Sequence, residues 1–136
     1  MNELSAWLMS NLPADDQEVT LVHGDFRVDN LVFHPTEARV LAVLDWELST
    51  TGQPLADLAY FLMPHYWPLG LNILSSMGSL KGIEGIPTVD DLISVYRRCR
   101  GIPSTLPSLN FYLALSLFKM AGIAQVLVAL ACMGNL

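Results

Sequence analysis

The chain has 136 residues, of which 52% are hydrophobic, and a formal net charge of −6 at pH 7. This length suits one domain or part of one, and the negative charge without a basic stripe disfavours nucleic-acid binding. Soluble domains are typically about 45–50% apolar, so we expect apolar faces that normally meet a partner lobe. Cys99 and Cys132 have no metal or redox spacing, which indicates a reduced intracellular compartment.

The first predicted element is a helix over residues 2–11, which Pro13 ends. Leu4, Trp7 and Leu8 share one face of this helix because they recur at helical spacing. We expect that face to point into the core, with Trp7 as its apolar anchor.

A loop between two short predicted strands carries the run His23-Gly24-Asp25-Phe26-Arg27-Val28-Asp29-Asn30. The spacing H-x-D-x-x-x-x-N is typical of kinase-like phosphotransferase active sites. Asp25 is predicted to orient and deprotonate an acceptor hydroxyl, and Asn30 to offer a neutral oxygen to Mg²⁺. Arg27 is predicted to balance charge on the transferring phosphoryl group. His23 is predicted to brace the loop backbone rather than to move protons.

The turn at residues 34–37 predicts a hairpin between residues 31–33 and 39–44. A hairpin places Asn30 and Asp45 at neighbouring strand ends, so Asp45 is predicted to be the charged metal ligand. Trp46 is predicted to pack under the metal loop. For Glu47, a further metal ligand and an ordinary loop carboxylate are equally good interpretations.

Two further helices are predicted beyond the hairpin. Residues 49–54 are predicted to open a helix that runs to about Met63, with Asp57 in its first turn, where an acid suits the helix N-terminus. An irregular stretch, residues 65–87, separates it from a helix over residues 89–99 that Gly101 ends.

A last helix is predicted from near Pro107 to about Met133, and it is nearly all apolar. About 20 such residues are enough to span a bilayer, but Lys119 in the middle of the run would be costly there. A buried central helix of an α-rich lobe explains the run better, and a membrane anchor is the alternative.

These motifs resemble the aminoglycoside phosphotransferase and choline kinase-like family. The narrower resemblance is to the kinase-like N-terminal domains of acyl-CoA dehydrogenase family members ten and eleven, the latter more closely. It covers about residues 1–125 of a partial domain, whereas residues 126–136 diverge. The runs that carry it, besides the loop, are Leu44–Glu47, Pro54–Ala59, Tyr96–Ile102 and Phe118–Gln125.

The resemblance implies an α+β fold: the mainly helical C-terminal lobe of a protein-kinase-like fold, with a small β-hairpin carrying the catalytic loop and the N-terminal lobe absent. It implies Mg²⁺- and ATP-dependent phosphorylation of a small hydroxyl substrate, 4-hydroxyacyl-CoA in fatty-acid catabolism. The parent enzyme would be a homo-oligomer fused to an acyl-CoA dehydrogenase domain whose FAD site is absent here. Asp57 would accept hydrogen bonds from the catalytic-loop backbone, and residues 65–87 would contact acyl-CoA. Relatives point to a peroxisome or mitochondrion.

The N-terminal lobe of a complete kinase-like fold supplies a nucleotide-binding loop and a strand lysine that pairs with the phosphates. Lys81 is predicted in a loop and Lys119 in a helix, so neither lysine fits these roles. We therefore expect a truncated or alternatively spliced product with little or no activity alone. A catalytically silent pseudokinase lobe, acting as a docking or dimerisation module, is a second hypothesis. An aminoglycoside substrate is a further alternative within the broad family.

Overall fold

The computed structural model describes residues 1–14, 18–68, 80, 83–102, 105–106 and 108–134. Within these ranges the fold is α+β and mainly helical, as predicted. Most of the irregular stretch 65–87, Lys81 included, lies outside the described residues. The helices are α1 (Asn2–Ser10), α2 (Leu55–Tyr66), α3 (Val89–Arg100) and α4 (Leu109–Cys132), and the strands are β1 (Thr20–Val22), β2 (Leu31–Phe33), β3 (Val40–Val43) and β4 (Thr50–Gly52).

The four strands form two separate antiparallel pairs. Strands β2 and β3 make the predicted hairpin, with Leu31 opposite Val43. Strand β1 pairs with β4, and Val22 lies opposite Thr50. The prediction that residues 49–54 open a helix is therefore wrong. Helix α2 begins only after Pro54, which lacks the amide that a continuing strand would use.

Helix α2 is the centre of the core. Its buried side chains recur at helical spacing, and Leu62 and Met63 are fully buried. Helix α4 packs against it, and the larger apolar cluster draws on both helices. A second cluster joins Tyr60 and Met63 to Met120. The members of the larger cluster are Leu55, Leu58, Ala59, Leu62, Leu109 and Leu113.

Helix α4 is buried over only part of its length. Its buried residues end at Met120, whereas Val126, Val128 and Met133 are exposed. The prediction of a buried central helix is therefore correct for the first half of α4 only, because α2 occupies the centre. By length and composition α4 could cross a membrane, but the core helix of a soluble protein passes the same test.

Helix α1 packs on α4, and of the residues on its predicted face Leu8, not Trp7, is buried. Leu8 is buried, whereas Trp7 is 43% exposed, so the prediction that Trp7 anchors this face is wrong. Helical spacing places both residues on one broad face, and only the contact with α4 decides which of them is covered.

Helix α3 begins and ends with the signals that its sequence contains. Thr88 and Asp91 form a reciprocal capping box, and Gly101 takes the left-handed conformation at the other end. Leu92, Ile93 and Tyr96 pack against the larger apolar cluster. The helix ends at Arg100, one residue beyond its predicted end at Cys99.

Replacing Leu62 by Ala tests the central position of α2. We expect Leu62→Ala to lower the free energy of unfolding by about 3 kcal/mol, because it leaves a cavity between α2 and α4. Urea denaturation followed by circular dichroism measures the loss. The matched control, Val128→Ala, removes a side chain that is 64% exposed and should change stability by less than about 0.5 kcal/mol. Equal losses in both variants would contradict this description of the core.

Candidate active site

The loop after β1 is held by a carboxylate from α2. Asp57 Oδ2 accepts a hydrogen bond from the His23 amide at 2.6 Å, and Oδ1 accepts one from the Gly24 amide at 2.9 Å. Asp57 lies in the first turn of α2, so the core helix itself fixes the start of the loop. Hydrogen bonds to a charged acceptor are about twice as strong as neutral ones.

His23 braces the loop from inside. Its side chain is buried, Nε2 donates to the Leu44 carbonyl at 2.8 Å, and Nδ1 accepts from the Asp25 amide at 3.2 Å. A carbonyl can only accept, so the imidazole carries its proton on Nε2. Trp46 packs on the ring with a centroid separation of 4.6 Å. With both nitrogens occupied by backbone groups, His23 has a structural contact at each.

Gly24 occupies a position that no other residue suits. Its φ of +81° lies in the left-handed region, and a Cβ built on it would lie 2.5 Å from the Leu48 carbonyl oxygen. Both observations exclude a side chain, because one requires strained backbone and the other a clash with main chain. The loop can therefore turn towards Asp25 only with glycine here.

Asp25 and Asn30 are joined directly. The Asn30 side-chain nitrogen donates to the Asp25 backbone oxygen at 2.9 Å and to Asp25 Oδ2 at 3.1 Å. Residues 28–30 form a 3₁₀ turn, which brings Asn30 back towards Asp25. Because the amide nitrogen is committed to Asp25, the side-chain oxygen of Asn30 is the atom left to face a cation.

Asp45 follows β3 in a conformation that sidechain-bearing residues seldom adopt. Its φ of 66° and ψ of 52° are left-handed, and among the described residues it is the one non-glycine residue with positive φ. Aspartate tolerates this region better than most residues, and such outliers concentrate at functional sites. The Leu44 amide donates to the Asn30 carbonyl at 2.8 Å, so the hairpin ends on Asn30 and Asp45 together.

Arg27 contacts a carboxylate within the loop. Its guanidinium forms an ion pair with Asp29, to which Nε donates at 3.0 Å. Burial by itself lowers the pKa of Arg27. The net effect is a raised pKa, because the hydrogen bond and charge of Asp29, together with the charge of Asp25, favour the charged guanidinium more strongly. The side chain thus lies among the loop acids, and its contact with a transferring phosphoryl group stays a prediction.

Two residues outside the predicted set reach this loop. Lys119 donates from Nζ to the Gly24 carbonyl at 2.6 Å. Tyr60 lies beside Asp25, and burial raises the pKa of its phenol well above the ordinary value. The hydrogen bond to Asp25 and the charge of that carboxylate raise it further. Of these two residues, only Lys119 has a signal in the sequence, as a charge inside an apolar helix.

An apolar cavity of about 430 Å³ lies between the loop and α3. His23, Trp46 and Asp57 contribute to its lining, whereas Asp25, Asn30 and Asp45 do not. The cavity is therefore separate from the residues that are predicted to carry chemistry. Arg100, from the basic end of α3, also lines it and pairs with Glu18 at 2.5 Å.

The donor set suits Mg²⁺. Asn30 and Asp45 offer an amide oxygen and a carboxylate, which are the hard oxygen ligands that this ion takes, and one or two carboxylates plus substrate phosphates usually suffice. Among the described residues, no three histidine, cysteine or acidic side chains cluster as a self-contained metal site. A metal held here would consequently need oxygens from a bound phosphate as well.

Comparison with known families agrees with this loop geometry. Residues 1–76 match the model of the phosphotransferase enzyme family. The chain belongs to that family. A crystal structure of a proposed aminoglycoside phosphotransferase from Ralstonia eutropha matches 99% of the chain with a TM-score of 0.84 and 41% identity, and the chain covers 41% of that structure.

Curated relatives of this phosphotransferase-family chain are much longer than it is. Acyl-CoA dehydrogenase family member 11 of Gallus gallus is 61% identical over 99% of the chain. The Homo sapiens protein of the same name is 57% identical over 99%. The chain spans 18% of the first relative and 17% of the second, less than a fifth of either.

Replacing Gly24 by Ala tests the close approach to Leu48. We expect Gly24→Ala to lower the free energy of unfolding by about 3 kcal/mol, because strain and a main-chain clash add. Gly101→Ala is the matched control: its φ is +63°, but nothing lies within 4 Å of the added Cβ, so only strain of about 1 kcal/mol applies. Chemical denaturation of both variants decides, and equal losses would refute the clash.

The contact between Tyr60 and Asp25 has a titration signature. In Asp25→Asn the negative charge is gone, so the Tyr60 phenolate forms more easily and the pKa of Tyr60 falls. The ¹³Cζ shift of labelled tyrosine, followed by NMR through the alkaline range, measures it. Asp45→Asn is the control, because Asp45 is not among the groups that act on Tyr60. An unchanged Tyr60 pKa in Asp25→Asn would show that the two side chains do not interact.

Proposed function

We propose that this chain carries the acceptor-activating and metal-holding part of a Mg²⁺- and ATP-dependent phosphotransferase site. The observation that supports this most is the joined pair of Asp25 and Asn30, with distances of 2.9 and 3.1 Å, on a loop that Asp57 anchors. Membership of the phosphotransferase enzyme family agrees with it. ATP is the phosphoryl donor that such a family generally uses.

Asp25 is the proposed base. It accepts the proton of the acceptor hydroxyl while the hydroxyl oxygen forms a bond to the terminal phosphorus of ATP and the bond to the leaving ADP oxygen breaks. The Asn30 amide holds Asp25 Oδ2 and so orients the carboxylate. Tyr60 lies beside the same carboxylate and does not compete for the proton, since its raised pKa keeps the phenol neutral.

Asn30 and Asp45 are the proposed ligands of Mg²⁺. A bound Mg²⁺ would neutralise phosphate charge and hold the nucleotide in position. The left-handed backbone at Asp45 aims this carboxylate from the end of β3, and the bond between Leu44 and Asn30 keeps the two ligands on one hairpin end. Arg27, which is paired with Asp29 and lies near Asp25, is proposed to balance negative charge on the transferring phosphoryl group.

A hydroxyacyl-CoA, specifically 4-hydroxyacyl-CoA, is the proposed acceptor. The support is that relatives bear the name acyl-CoA dehydrogenase family member 11, and a dehydrogenase of that class acts on acyl thioesters. On this proposal the kinase part prepares a hydroxylated acyl chain for breakdown in a peroxisome or mitochondrion, within a homo-oligomeric fusion. An aminoglycoside acceptor, which the name of the Ralstonia eutropha structure suggests for that protein, is the alternative.

The chain alone is proposed to have little activity. Phosphotransferases of this type grip nucleotide phosphates with a strand lysine, and the one lysine among the described residues, Lys119, bonds Gly24 instead.

A silent docking module is the second candidate function. It is favoured by large exposed apolar side chains on the hairpin and on the second half of α4, such as Phe33, Leu41 and Val128.

Calorimetric titration of Mg²⁺–ATP into the chain tests the proposal. We expect weak binding that Asp45→Ala reduces at least about tenfold, because a direct ligand is removed. The matched control is Glu37→Gln, which removes an exposed carboxylate at the other end of the same hairpin and should leave binding unchanged. Asp25→Asn should keep binding but abolish any phosphoryl transfer to 4-hydroxyacyl-CoA.

Three outcomes contradict the proposal in different ways. Equal binding by the wild-type chain and Asp45→Ala would refute the metal site, and absence of binding in a folded chain would favour the docking module. Full turnover by the chain alone, comparable to a complete kinase, would refute the proposal that it is inactive by itself.

A further inference from the structure

Lys119 lies 95 positions after the residue that it contacts. It projects from the middle of α4, is partly buried, and donates from Nζ to the Gly24 carbonyl at 2.6 Å. A partly buried ammonium is costly unless it is paired, so the contact must offset desolvation. The carbonyl belongs to the residue directly before Asp25, which makes this a link between the second core helix and the proposed base.

The face of Tyr60 forms the other contact of this ammonium. Nζ lies 4.9 Å from the centroid of the Tyr60 ring, a distance at which a cation is attracted to the ring face. The Tyr60 hydroxyl lies 3.6 Å from Met120 Sδ and also interacts with Asp25, which is the stronger acceptor. One buried tyrosine thus touches both the lysine and the carboxylate.

Gly24 is therefore held at both of its main-chain polar groups. Its N–H donates to Asp57 on α2, and its C=O accepts from Lys119 on α4. The two helices pack against each other, so their separation is fixed by the core. A glycine is intrinsically mobile, and two charged contacts on one glycine remove that freedom at the turn into Asp25.

We propose that Lys119 is a positioning residue for the catalytic loop: with its ammonium over the Tyr60 ring, it holds the Gly24 carbonyl and so fixes the orientation of the peptide that leads into Asp25. This inference rests on the proposed role of Asp25. Lys119 itself touches no reacting atom. Its contacts with Gly24 and Tyr60 give a structural reason for a cation in the apolar helix α4. In the sequence, the same charge served only as an argument against a membrane span.

Two variants of Lys119 test the positioning role by NMR in the full chain. Lys119→Met keeps the length of the side chain without charge or donor, and Lys119→Arg keeps both. In Lys119→Met we expect the Gly24 carbonyl ¹³C resonance to lose its hydrogen-bond shift, and the Gly24 and Asp25 amides to exchange about tenfold faster. Lys119→Arg should restore both signals, and Leu62 in the core should be unaffected.

Ser116→Ala is the matched control. Ser116 lies one turn earlier on α4 and donates only to Tyr112 in the same helix, at 2.8 Å. Its loss disturbs α4 without touching the loop, so the Gly24 signals should not move. If Lys119→Met failed to fold, Lys119→Gln would replace it: its neutral amide bonds the Gly24 carbonyl more weakly than the ammonium does, so the same changes are expected at a smaller size.

Unchanged Gly24 signals in the folded Lys119 variant, or equal changes in Ser116→Ala, would overturn the proposal. A second measurement separates it from the proposed function: Mn²⁺ added together with ATP, which supplies the phosphate oxygens, broadens the Asn30 side-chain amide if the metal site exists. We expect Lys119→Met to need a severalfold higher Mn²⁺ concentration than the wild-type chain for the same broadening. Lys119→Arg should need the same concentration as the wild-type chain. No broadening in the wild-type chain, with the Gly24 effects present, would refute the metal site and leave the positioning role of Lys119 established.

Discussion

The two hydrogen bonds from the His23 and Gly24 amides to the Asp57 carboxylate are the contact on which the rest of the site depends. Asp57 belongs to α2, whose buried residues include Leu62 and Met63 at the centre of the core. The loop is thus tied to the helix at the centre of the core by an interaction between a full charge and two main-chain dipoles. Local order at Asp25 follows from packing that lies elsewhere.

The charges around the loop compensate one another. Asp25 has the Asn30 amide as a donor and lies beside Tyr60, Arg27 has Asp29, and Lys119 has the Gly24 carbonyl and the Tyr60 ring. Asp45 differs, because its backbone is left-handed and its side chain is exposed. A carboxylate held in this way costs conformational energy in the folded chain, and a bound cation would compensate that cost.

The sequence contained most of the local structure and little of the long-range structure. The hairpin, the limits of α3 and the joint placement of Asn30 and Asp45 could be predicted, because turn residues, caps and alternation act over a few positions. The strand β4 could not, since Thr50–Gly52 is short and polar and becomes a strand only through β1. The exposure of Trp7 had no local signal for the same reason.

Lys119 shows the same limit in the site itself. From the sequence, its charge in an apolar helix argued only against a membrane span, and its contact with Gly24 depends on how α2 and α4 pack. The roles predicted for Asp25, Arg27, Asn30 and Asp45 remain predictions. Their relative placement is what the fold adds to them.

The pairing of β1 with β4 has a consequence for how the chain fluctuates. The register sets Val22 opposite Thr50, so residues 23–49 form one segment that begins and ends at this strand pair. Asp25, Arg27, Asn30 and Asp45 all lie inside that segment. If this strand pair parts and the contacts of Gly24 with Asp57 and Lys119 break, all four residues are released together, whereas α2 and α4 could stay packed. The site should therefore appear and vanish in native-state fluctuations as one cooperative unit, at a free energy below that of global unfolding.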